Sequence, residues 1–98
     1  MREVEFDVRP SAKLDHADSI IESECLAQEL VIGMKGTLAS FPGSTHWHFR
    51  RQGERGTLEI TLFPRGRRIW AQIQDGRRAD WIDPCLIRIR EAVEAKLK

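Results

Sequence analysis

His46 and His48 bracket Trp47 near the middle of the chain. On an extended strand, residues two apart point to the same side with Cα atoms about 6.5–7 Å apart, so the two imidazoles share one face, a pattern that recurs in metal sites. Zinc needs at least a third protein ligand, for which His16, Glu59, Asp75 or a cysteine are the candidates. No motif spaces any of them against the pair, so the sequence assigns neither a metal nor a cofactor, and the histidines are expected to be solvated or bonded to Glu59 on the next strand. With an arginine beside them the same imidazoles could also move protons in phosphoester chemistry, since imidazole titrates near neutrality and guanidinium stabilises phosphoryl charge. Arg50, Arg68 and Glu59 fall on the same side of their strands. A chain of 98 residues seldom encloses a deep pocket alone, so an enzyme would need a dimer cleft, and catalysis stays an open alternative.

Charge offers the broader signal. The net charge of +1 hides a separation: residues 1–31 carry three basic against eight acidic groups, while residues 32–90 carry eleven basic against five acidic, a balance of +6. Twelve of the sixteen basic residues are arginine, which favours bidentate contact with phosphate or carboxylate. The signal is polarised rather than strongly basic.

These groups must be positioned by a small domain. At 98 residues, 41% hydrophobic and 32% charged, the chain is expected to form a single domain over residues 1–98 with one modest core. Nowhere do 18 consecutive apolar residues occur, no apolar segment opens the chain, and the two cysteines, Cys25 and Cys85, lack a CxxC spacing. No membrane association, two buried thiols and a cytoplasmic location are the corresponding expectations.

Val4, Phe6 and Val8 alternate with charged residues, predicting a first strand that Pro10 ends. A helix is expected over about 12–31, capped by Ser11 and stopped by Gly33, with Leu14, Ala17, Ile21 and Cys25 inward and Asp15, Asp18, Glu22 and Glu29 outward. Residues 35–44 read poorly, with a short edge strand possible over 37–41. Strands follow at 45–51, 56–63 and 67–74, Asp75-Gly76 could open a further short hairpin, and a last helix is expected to start with Asp83 as N-cap, Pro84 behind it and Ile82 stapled to Ile87. The fold class is α+β: an antiparallel sheet of three to five strands with two helices on one face, order β-α-(β)-β-β-β-α.

Alternation then assigns faces. Trp47, Phe49, Leu58, Ile60, Leu62, Ile69, Ala71 and Ile73 point toward the helices, while His46, His48, Arg50, Glu59, Thr61, Arg68, Trp70, Gln72 and Gln74 point away. The run α-β-β-β-α over about residues 12–97 resembles in order the double-stranded-RNA-binding domain, although that family's lysine-rich start to the second helix is absent here. The acidic first helix would also repel phosphate where that family contacts RNA. The favoured function is therefore binding of RNA or another single-stranded nucleic acid on the sheet face, by stacking on Trp70 and charge from Arg50, Arg68, Arg77 and Arg78 beside His46 and His48. A protein-interaction or homodimerisation module is the alternative, with Trp70 at the seam.

Overall fold

Alternating side chains decide the architecture, because each strand has one apolar face to bury. In the computed structural model, which describes residues 1–97, the chain forms β1 (Arg2–Glu5), α1 (Ala17–Ala27), β2 (Leu30–Gly36), β3 (Thr45–Arg51), β4 (Leu58–Phe63), β5 (Arg68–Ile73) and α2 (Ile82–Lys96). The five strands make one sheet in the order β1-β5-β4-β3-β2, antiparallel throughout. Both helices lie against one face, where Ala17, Ile21 and Cys25 of α1 and Cys85, Leu86, Ile89 and Val93 of α2 join Trp47, Phe49, Leu58, Ile60, Leu62, Ile69, Ala71 and Ile73 in a single core. No helix among the described residues is long and apolar enough to cross a membrane.

The first helix is much shorter than its apolar pattern predicts. Residues 9–12 turn instead, held by Arg67, whose Nη2 donates to the carbonyls of Arg9 (2.9 Å) and Ala12 (2.7 Å). At the other end Glu29 takes a left-handed backbone (φ 64°), and the amides of Gln28 and Glu29 close the last turn on Cys25 and Leu26. A glycine usually occupies such a position, so a glutamate there gave no stop signal. The chain then enters β2, where Val31 and Ile32 suit a pleated surface and Gly33 marks a bulge rather than a helix end. The extra strand makes the order β-α-β-β-β-β-α, which departs from the α-β-β-β-α run of the double-stranded-RNA-binding domain.

Five smaller expectations also change. Residues 37–44 form a loop rather than an edge strand, and Asp75–Arg77 is a single 3-10 turn with no hairpin after it. The second helix begins one residue before Asp83, which sits in its first turn without capping it and pairs with Arg2; Ile87 is 58% exposed and makes no staple. Glu22 on α1, expected in water, accepts from the Trp47 indole N–H (2.9 Å) and pairs with Lys35 of β2 (2.6 Å). Lys35 first, then Trp47, holds its carboxyl below the ordinary carboxylate range.

Candidate nucleic-acid interface

The sheet face turned away from the helices has two halves. Over β5 and β1 it is closed above the indole of Trp70, leaving a smaller hollow of about 250 Å3 lined by Glu3, Leu38, Phe41, Arg68 and Gln72. The loop 37–44 folds back on itself, with the Leu38 amide donating to Ser44 Oγ (3.1 Å) and the Ser44 amide to the Phe41 carbonyl (3.0 Å). Phe41 is thereby laid edge-on against Trp70, ring centroids 5.0 Å apart, and against Phe63 at 5.2 Å. Arg68 covers the remaining side of the indole at 4.3 Å and donates twice to the Glu5 carboxylate, at 3.0 and 2.9 Å. Trp70 is left only 3% exposed. The expected exposed stacking platform is thus absent: Trp70 does face away from the helices, but an apolar residue in a proline- and glycine-containing loop covers it. Arg68 is occupied as well.

Over β3, β2 and the loops before β4 and after β5 the same face is open. A pocket of about 450 Å3 is lined by His48 and Arg50 of β3, Arg55, Arg77 and the backbone of Gly33, Gly56 and Gly76. Two connections build its far wall. The Thr57 amide donates to the Arg77 carbonyl (3.0 Å), and the Trp81 indole N–H donates to the Arg55 carbonyl (2.7 Å), so residues 55–57 are held against the entry to α2. Gly56 is required there: its φ is +102°, and a Cβ would stand 2.6 Å from that of Ala79. On the near wall the bulge at Gly33 leaves bare backbone across which the Arg50 side chain lies, since a Cβ at residue 33 would meet Arg50 Cδ at 2.9 Å.

Three buried polar side chains form the floor between the halves. His46, Glu59 and Thr61 are 5%, 6% and 1% exposed. Adjacent pairing of β3 with β4 sets His46 opposite Thr61 and His48 opposite Glu59. His46 Nδ1 lies 2.7 Å from Thr61 Oγ1, while Glu59 Oε1 is 3.4 Å from His46 Nε2 and 3.8 Å from His48 Nε2. Arg77 reaches Glu59 Oε2 at 3.9 Å and His48 Nδ1 at 3.5 Å. Burial pushes the His46 imidazole below its ordinary value, against the opposing pull of Glu59.

No family model, curated protein or solved structure matches the chain. The structure brings together His48, Arg50 and Arg77 of the residues singled out in the sequence, sets His46 beneath them, leaves Arg78 exposed one residue beyond the lining, and separates Trp70 and Arg68 into the closed half. Arg55 reads in the sequence only as one of several loop arginines and Gly33 only as a helix stop, and Gly56 was not singled out. Their only sequence signal was a basic residue and glycines at strand ends, and the pairing of residue 57 with residue 77 has no local signature.

Arginine number alone proves a poor guide to free positive charge. Arg51 donates to the Gln28 carbonyl and Cys85 Sγ, Arg67 to two carbonyls, Arg88 to Gln28 and Arg90 to Glu94. Among the described residues, no carboxylate lies within ion-pair reach of Arg50, Arg55 or Arg78.

Proposed function

We propose that this chain binds nucleic acid, RNA in single-stranded or structured form, by seating a backbone phosphate among Arg50, Arg55, Arg77 and His48. The observation that carries this reading is the convergence of three arginines from separate segments on one pocket, two of them without an acidic partner. Guanidinium forks suit phosphate oxygens, and the open mouth of the pocket suits a chain that enters and leaves. Arg78 extends the positive surface beyond the pocket rim. Such contacts carry affinity and salt dependence with little base selection, because the ring that could have stacked on bases is covered.

Self-association is a second reading, supported by the edges of the sheet. Charged Arg2, Glu3 and Glu5 guard β1, whereas β2 exposes Val31, Ile32 and Met34 to 41%, 39% and 40% along an unpaired edge. Two copies pairing through β2 would continue the sheet and cover those side chains. Sedimentation of the Ile32→Lys variant beside the natural chain tests it: a dimer should become a monomer, and a natural chain already monomeric at high micromolar concentration rejects the pairing. The two unpaired buried thiols, Cys25 and Cys85, support a reducing, cytoplasmic setting.

Fluorescence anisotropy with a short labelled RNA and a DNA of equal length tests the nucleic-acid reading. The double variant Arg50→Ala, Arg77→Ala should bind at least about tenfold more weakly at low salt, and Arg68→Ala should bind nearly as the natural chain does. Absence of a complex at low salt, or an equal loss from Arg68→Ala, would reject it.

A further inference from the structure

Behind His48 and Arg77 of the pocket lies a buried group, Glu59, that phosphate binding does not use. Glu59 is a nearly buried carboxylate whose closest basic nitrogen is 3.4 Å away, with the others at 3.8 and 3.9 Å. A charge-assisted hydrogen bond would be about 2.7–2.9 Å. Buried charges are ordinarily paired more closely than this or coordinate a metal.

Spacing distinguishes the two cases. In a tetrahedral zinc site with bonds of about 2.0–2.1 Å, neighbouring donor atoms stand about 3.3–3.4 Å apart, because the ion sits between them. The separations of 3.4 and 3.8 Å from Glu59 Oε1 to His46 Nε2 and His48 Nε2 are close to that edge, and one donor atom from each of the three residues lies within 4.8 Å of the others. Thr61 fixes the His46 ring through Nδ1 at 2.7 Å, the outer hydrogen bond that metal-ligating histidines almost always make. That bond leaves Nε2 directed at Glu59.

We infer that His46, His48 and Glu59 form a three-ligand site for a divalent cation of the zinc class, with its fourth position open toward the arginine-lined pocket. Two imidazoles and one carboxylate are a donor set that zinc accepts, and a fourth position left to water or an anion distinguishes such sites from closed structural ones. His48 supplies the entry path, because its side chain is 24% exposed and lines the pocket whereas the other two ligands are nearly buried. Arg77 is the competing cation. Its guanidinium, half exposed at 3.9 Å from Glu59, neutralises the carboxylate in the metal-free chain and must swing outward when the ion enters. The site goes beyond the nucleic-acid reading, shares His48 with it and opposes it at Arg77, which helps bind phosphate and hinders binding of metal.

The test uses the full untagged chain, freed of metal by chelation and titrated with Co2+ by absorption spectroscopy and with Zn2+ in competition with a chromophoric chelator. The natural chain should take up about one equivalent with the spectrum of a low-coordinate site. His48→Ala and Glu59→Gln should each weaken binding at least about tenfold, as should Thr61→Val, which keeps the shape but loses the bond to His46. Arg77→Ala should bind metal several-fold more tightly while binding RNA more weakly. Circular dichroism establishes that each variant folds, and if Glu59→Gln does not, His48→Ala decides, since its side chain is the most exposed of the three. No uptake by the natural chain at micromolar metal, or undiminished uptake by folded His48→Ala, overturns the site. RNA binding that survives chelation leaves the phosphate pocket standing whichever way the metal result falls.

Discussion

The two halves of the open sheet face have similar residue types and opposite fates. Both present an arginine from a strand, an aromatic or imidazole ring two residues away, and a loop beyond the strand ends. Over β5 the loop returns with Phe41, the ring is buried, and Arg68 is consumed by Glu5 of the neighbouring strand. Over β3 the neighbouring strand is β2, which offers Val31 and Met34 where β1 offers Glu3 and Glu5, so Arg50 finds no carboxylate and a pocket stays open. The composition of the adjacent edge strand, more than that of the strand itself, decides whether an arginine is structural or available.

Stability measurements sharpen this contrast, and the largest effect belongs to the closed half. Trp70→Ala removes a buried indole and should cost about 3–5 kcal/mol in urea unfolding, a loss typical of buried aromatic truncation. A cost below about 1 kcal/mol would mean that Phe41 does not cover the ring. Next comes the wall of the open half. Gly56→Ala combines a left-handed backbone with a 2.6 Å approach to Ala79, so it should cost about 1–3 kcal/mol and lower RNA affinity with it.

Acid should weaken the fold through the carboxylate that ties α1 to β3 and β2. Lys35 and Trp47 hold Glu22 below the ordinary carboxylate value of 4.5, so above that value the folded chain gains stability from the ionised carboxyl. As pH falls through 4.5 toward the lower native value, the unfolded chain binds more protons and this contribution is lost. A pH series of denaturant midpoints should show that decline in the natural chain and a flatter one in Glu22→Gln. The smallest stability effect should come from the pocket arginines that have no acidic partner: Arg50→Ala and Arg55→Ala are expected within about 0.5 kcal/mol of the natural chain, although both impair RNA binding. A larger loss would make them structural, like Arg68.

The sequence made the central meander legible because its alternation is strict. The faces assigned from Trp47 to Ile73 match the observed register, and Val4, Phe6, Ile21, Leu58, Ile60, Leu62, Ile69, Ile73, Ile89 and Val93 do pack in or against one core. Residues 28–36 were illegible for a local reason. Leu26, Leu30 and Val31 continue a helical apolar stripe by spacing, and the true stop depends on a left-handed Glu29 that carries no sequence mark. The site was half legible: alternation put His46, His48, Glu59 and Arg50 on one face, whereas the covering of Trp70 by Phe41 and the approach of Arg77 to Glu59 depend on loops whose paths tertiary packing sets.

The division of the face is tested most directly by following backbone amide resonances of the 15N-labelled chain as a short RNA is added. Shifts should gather at residues 33–34, 48–50, 55–57 and 76–78, grow as salt is lowered, and leave residues 38–44 and 68–72 unmoved. Shifts centred on Trp70 and the Phe41 loop, or scattered evenly around the molecule, would contradict it.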